Sequence, residues 1–230
     1  MCTVVIRVPQ PNAPEPVRLL AVRDEDPARP WRPLGAWWED RPGVRGVLDE
    51  QAGGAWLAAD DRKIAVLLNR AGFPDVPVPT TRGRLVLDAL AGVPLPSPLT
   101  TLGFNLVEAT GESVKVTSWT GEEPPTVRLL GPGTHMVAHD DVDDPRTARI
   151  AAWLDSFAES DPDGWLDVLA ATTAVDPTDD RAIIRDNRPH GYPTLSLLVA
   201  VASVHADGVE VRTRTLPAPG AWGPPGLTTA

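Results

Sequence analysis

The residue with the most chemical potential is the second one. Cys2 is the only cysteine in 230 residues. The initiator methionine is commonly removed when a small residue follows, and removal would leave a cysteine with a free α-amine. Such an amine ordinarily titrates at about pH 8, close to what a general base needs at neutral pH. The thiol must become thiolate before it attacks. A terminal cysteine thus carries nucleophile and base on one residue and needs no histidine. The bland reading of the same position is a small buried residue at a strand start. Other reactive types are less well arranged. His135 and His139 are four apart, but an extended backbone separates such a pair by about 13 Å, too far for one metal ion. Gly131-Pro132-Gly133 lacks the lysine and the helix of a phosphate loop. The sequence therefore calls for neither metal nor cofactor.

These residues must be positioned by regular elements. Thr3 to Val8 is β-branched and short, a buried strand, and Val17 to Arg23 returns antiparallel to it. A long polar loop with Pro27, Pro30 and Pro33 then carries Trp31, Trp37 and Trp38, which roof a core or line an apolar pocket. Ala55–Ala59 and Ile64–Leu68 form a hairpin around Asp60-Asp61-Arg62-Lys63, opened by the flexible pair Gly53-Gly54. Leu85, Leu87 and Leu90 suggest a short helix. Phe104–Ala109 and Val114–Trp119 form a second hairpin, followed by strands at Val127–Leu130 and Thr134–Ala138. Asp144-Pro145 reads as a cap with proline at the first helical position, before a stripe of Ile150, Trp153, Leu154 and Phe157. Asp161-Pro162 repeats the cap, and Asp207-Gly208 turns a closing hairpin. The acidic run Asp140 to Asp144 reads as a solvated loop. Hairpins exclude a doubly wound parallel sheet and point to an α+β domain over residues 1–216, with a loose Pro/Gly-rich tail over 217–230.

Composition narrows the partners. The net charge is -10, and no Lys/Arg cluster offsets it, which speaks against nucleic acid. No apolar run reaches membrane-helix length and no signal segment precedes the first strand, so the expected location is cytoplasmic.

Several short stretches occur in a telling order. Met1-Cys2 opens the chain. Arg23-Asp24-Glu25 ends the second strand. Gln51-Ala52-Gly53-Gly54-Ala55-Trp56 precedes a hairpin that ends in Leu68-Asn69-Arg70. Gly103-Phe104-Asn105-Leu106 and Pro132-Gly133-Thr134-His135 follow. This series resembles the NRDE family, also called the transport and Golgi organisation family, whose members look like relatives of the cysteine N-terminal-nucleophile (Ntn) hydrolases such as penicillin V acylase. The resemblance implies a four-layer αββα sandwich of mostly antiparallel sheets. It implies roles for Cys2 as nucleophile, Asp24 and Arg23 beside it, Asn69 as an oxyanion donor, and His139 where a second oxyanion asparagine belongs. It implies an activity on non-peptide C–N or thioester bonds. Three positions depart from the pattern: Val22 replaces the family's asparagine, His139 replaces the second oxyanion asparagine, and Pro193 stands where a late arginine is expected. The site is therefore partly degraded, since a lost oxyanion donor costs about 100- to 1000-fold in rate. The alternative is a non-catalytic carrier of haem or acyl lipid, with the tryptophans as its pocket.

Overall fold

The protein is described by a computed structural model, covering residues 2–122 and 124–223 and the backbone of Thr228–Thr229. Alternation along the strands builds the architecture. In β1 (Thr3–Val8), Val4, Ile6 and Val8 face one core while Val5 faces another. In β2 (Val17–Glu25), Leu19 and Ala21 share the first core and Leu20 and Val22 the second. A strand apolar on both faces is one covered on both faces, because side chains alternate with a period of two.

Two sheets result. One pairs β1 and β2 with β10 (Gly133–Val137), β11 (Leu195–Val204), β12 (Val209–Thr215) and β13 (Thr228–Thr229), in the order β10-β1-β2-β11-β12-β13. The other runs β3-β4-β5-β6-β7-β8-β9, through β3 (Trp31–Gly35), β4 (Arg45–Asp49), β5 (Gly54–Ala59), β6 (Lys63–Asn69), β7 (Phe104–Thr110), β8 (Val114–Trp119) and β9 (Thr126–Leu129). Every pairing between these strands is antiparallel. The inner core lies between the sheets. Helices α2 (Ala148–Glu159) and α3 (Trp165–Thr172) cover the outer face of the first sheet through Ile150, Phe157, Trp165 and Leu169. Helix α1 (Arg84–Leu90) covers the second through Leu85, Val86 and Leu90. The layers are thus α, β, β, α, as the family resemblance implies.

Three local expectations need correction. The polar loop after Glu25 contains β3 and β4. Two features hid β3: Pro33, and a register irregularity between Arg32 and Gly35. Proline is tolerated there because β3 is an edge strand. The second helix begins later than Asp144: its cap position is Thr147, whose hydroxyl donates to Asp140 (2.7 Å). Asp144 turns back to Arg146 instead, accepting from its backbone N–H (2.9 Å) and its guanidinium (2.6 Å). The acidic run is a folded turn, not a solvated one. Asp143, at φ 60°, accepts from the Met136 N–H at 2.8 Å and faces His135 Nδ1 at 2.7 Å. Part of the tail, 224–227 and 230, lies outside the described residues; before it, Trp222 packs on the α2/α3 core.

The His135–Asp143 pair makes stability pH-dependent. The hydrogen bond to Asp143 raises the His135 pKa, against the opposing effect of burial. A raised folded-state value means stabilisation that is complete below the unfolded value of about 6.5 and is lost as pH rises through the folded value. His135→Gln is therefore expected to cost more stability at pH 6 than at pH 8.5, as read by urea unfolding.

The pair Gly53-Gly54 is a packing device rather than a hinge. Gly53 has φ +66°, and a Cβ on Gly54 would stand 1.9 Å from the Gly83 carbonyl oxygen. That same carbonyl accepts from the Ala55 N–H at 3.0 Å. Gly54→Ala is expected to push the 80–83 loop off β5 and to destabilise the protein by about 1–3 kcal/mol, measurable in the same unfolding experiment.

Candidate functional site

The site forms where the strand ends of the two sheets meet. Cys2 precedes β1 and is 5% exposed. Its sulfur lies between the backbone groups of Asp24: the Asp24 N–H donates to Sγ at 3.4 Å and the thiol donates to the Asp24 carbonyl at 3.7 Å. Burial and the Asp24 charge push the thiol pKa up, while the Asp24 N–H and the Arg23 charge pull the other way.

The alternation of β2 sends Arg23 and Asp24 to opposite sides. Arg23 follows Leu19 and Ala21 toward the inter-sheet space. Its guanidinium lies 3.6 Å from Glu25 and over the Trp31 ring at 5.3 Å. The Asp24 carboxylate follows Leu20 and Val22 toward the helical side, where it accepts from Ser196 Oγ at 2.5 Å. Ser196 stands opposite Asp24 because β11 carries a bulge between Ser196 and Leu198. The same Oγ accepts from the Arg185 N–H at 2.8 Å. A second bulge lies in β5, where Trp56 is the extra residue between Ala55 and Leu57, which pair with Leu48 and Val47 of β4. Bulges of this kind re-aim side chains beside active sites.

Together these elements enclose a cavity of about 260 Å³, lined by Cys2, Arg23, Asp24, Trp56, Asn69 and Arg82 among others. Four of the five residues singled out from sequence, Cys2, Arg23, Asp24 and Asn69, thus share one wall. His139 is not on it. Its Nε2 lies 3.4 Å from Asp140, and burial and the Arg149 charge lower its pKa against the pull of Asp140.

Sequence reasoning missed three arginines. Arg149 sits beside the apolar stripe of α2 but is 1% exposed, and donates to Thr3 Oγ1 at 2.9 Å. Burial and the Arg185 charge lower its pKa to about 10, so it remains charged at neutral pH; Asp24, Cys2 and Asp180 act in the opposite direction. Arg185 is buried too, bonded to Asp180 and, through Nε, to Asn187 Oδ1 at 2.8 Å. Pro193, where an arginine was expected, is exposed on a loop, and the buried cations behind Asp24 come from α2 and from residue 185 instead. Arg82, the third, lies in the loop before α1. A charged residue flanking an apolar stripe looks like a helix surface residue, so no sequence signal marked Arg149.

The tryptophans of the β3 region do not converge. Trp31 packs on the inter-sheet core, Trp38 packs on the α1 layer, and Trp37 donates to the Pro33 carbonyl at 2.8 Å. Among the described residues no group of three or more His, Cys, Asp or Glu could hold a metal, and no helix is long and apolar enough to cross a membrane.

Two antiparallel sheets between helical layers, with a cysteine at the head of a central strand, define the Ntn-hydrolase fold. Among solved structures, the Caenorhabditis elegans N-acylethanolamine-hydrolyzing acid amidase (NAAA) ortholog shares it, with a TM-score of 0.53 over 94% of this chain and 100% of that one, at 14% identity. That identity carries a likeness of fold alone. The chain belongs to the Transport and Golgi organisation 2 family, whose model matches residues 1–179. No curated protein matches the sequence.

Proposed function

We propose that the protein is a cysteine Ntn hydrolase of low activity, acting on a small non-peptide amide or a thioester once Met1 is removed. The observation that carries this reading is the single cavity whose wall includes Cys2, Asp24 and Asn69. Removal of Met1 frees the α-amine, which takes the thiol proton. The sulfur then bonds to the substrate carbonyl carbon, and the carbonyl oxygen becomes an oxyanion for which Asn69 is the candidate donor. Collapse breaks the C–N or C–S bond, and the leaving group departs with the proton from the α-ammonium. Water, deprotonated by the same amine, attacks the thioester and releases the acid. Asp24 has the role of holding the cysteine in place, through its backbone contacts to Sγ. His139 is assigned no step in this reading.

The raised thiol pKa explains why a base is needed at all: a buried thiol beside a carboxylate is protonated at neutral pH. Intact-mass analysis of the purified protein, before and after a p-nitrophenyl acyl ester is added, tests the reading. The expected result is a chain lacking Met1 that gains one acyl group, placed on Cys2 by peptide mapping. A chain that retains Met1, or gains acyl groups only elsewhere, would end it.

A further inference from the structure

Three guanidinium groups line the Cys2 cavity, those of Arg23, Arg29 and Arg82. Their counterions are unevenly shared. Arg29 is answered by Asp49 at 2.8 Å and more distantly by Glu25 at 3.9 Å. Arg23 has its ion pair with Glu25 at 3.6 Å, beyond ordinary hydrogen-bond reach, with the Trp31 ring and the more distant Asp49 charge also acting on it. The third acid on the wall, Asp24, gives its carboxylate to Ser196 on the helical side. Arg82 makes one hydrogen bond among the described residues, from Nη1 to the Gly103 carbonyl at 2.7 Å, and no ion pair. The cavity wall therefore holds more guanidinium donors than the protein satisfies.

The sharpest sign is at Arg23. The residue is 1% exposed, yet its Nη1 has no hydrogen-bond partner among the described residues. An unmet buried donor on a charged group is costly, and it is retained where something else supplies the acceptor. Arg23 and Arg82 feel the same two neighbours, Glu25 and Cys2, which oppose the lowering of both pKa values by burial. Both arginines line the same cavity as Cys2. The wall carries three arginines and three carboxylates, so its charges balance, and what is left over is the unmet Nη1 donor of Arg23.

We propose that Arg23 and Arg82 form an anion subsite in the Cys2 cleft, which takes a carboxylate carried close to the substrate's scissile carbonyl. This rests on the reading of the cleft as a substrate site, and it deepens that reading by naming the substrate class: N-acyl amino acids or similarly short acidic amides. The planar fork of a guanidinium matches a carboxylate. The cavity volume of about 260 Å³ suits a short polar end group rather than a whole large ligand.

Binding tests this without any turnover. Ligand-observed NMR would compare N-acetylglycinate with its neutral analogue N-acetylglycinamide on the full chain carrying Cys2→Ser, so that thiol chemistry does not contribute, with the state of Met1 read by intact mass and matched across the variants. The anion is expected to bind at least about tenfold more tightly than the amide. Arg82→Gln is expected to erase that preference, and Arg23→Gln to do the same if it folds. Arg29→Gln, whose arginine already has Asp49, is expected to leave most of it. Equal binding of the two ligands, no binding of either, or a preference unchanged in Arg82→Gln would overturn the subsite. Inorganic phosphate binding more tightly than N-acetylglycinate would overturn the carboxylate assignment. Failure of the hydrolase reading alone would leave the anion preference intact.

Discussion

Asp24→Asn is expected to cost the fold about 3–5 kcal/mol, a large share of the stability of a protein this size. The substitution keeps the shape and removes only the charge. Asp24 is 4% exposed and Arg149 is 1% exposed, and the carboxylate supports the Arg149 charge. Removing one member of such a set leaves the other as an uncompensated buried charge, which is the expensive state. The wild-type Ser196 hydroxyl donates to Asp24 Oδ1 and accepts from the Arg185 N–H, so its orientation also depends on the acid. Urea unfolding of Asp24→Asn, Arg149→Met and the double variant closes a thermodynamic cycle. The double variant is expected to be more stable than the sum of the two losses predicts. Additive losses, or a single Asp24→Asn loss under about 1 kcal/mol, would show that Asp24 is not the counterion of this core.

Cys2→Ala is expected to abolish acylation and any amide or thioester turnover, with a change in stability of no more than about 1–2 kcal/mol, because only a small buried atom is removed. The pH profile of the wild-type thiol carries a further expectation. Burial and Asp24 raise the Cys2 pKa, so less thiolate exists at pH 7 than in a free cysteine. In a variant that retains Met1, iodoacetamide labelling is expected to climb only above about pH 8.5, the ordinary value of a free thiol. In the processed chain the α-amine serves as base, and the profile is expected to move down toward its own pKa of about 8. Cys2 is the only cysteine, so labelling reports it alone. Rapid labelling of the Met1-retaining chain at about pH 6, well below that value, would contradict the buried, protonated thiol.

Much of the architecture is legible from local pattern. The Ala55–Ala59 and Ile64–Leu68 runs, the Asp207-Gly208 turn and the Ile150/Trp153/Leu154/Phe157 stripe each contain the whole signal for their element within a few residues. The family resemblance carried by the short motifs implied Cys2, Arg23, Asp24 and Asn69 as one set, and those four line one cavity. β3 was not legible, because an edge strand interrupted by Pro33 has lost the alternation that marks a strand.

What the sequence by itself determined was therefore most of the strands and helices and the identity of the candidate nucleophile, while the four-layer arrangement came from the family resemblance its motifs carry. The tertiary structure alone decided which charges are buried. Arg149, Arg185 and Arg82 carry no local mark, since a guanidinium is placed by what packs over it from distant segments: Thr3 lies 146 residues from Arg149 and meets it by hydrogen bond. The bulges in β5 and β11 were equally invisible, because one extra residue in a pairing exists only once the partner strand is present. Those long-range pairings set the Ser196–Asp24 contact and leave Arg23 facing the cavity with a donor unspent.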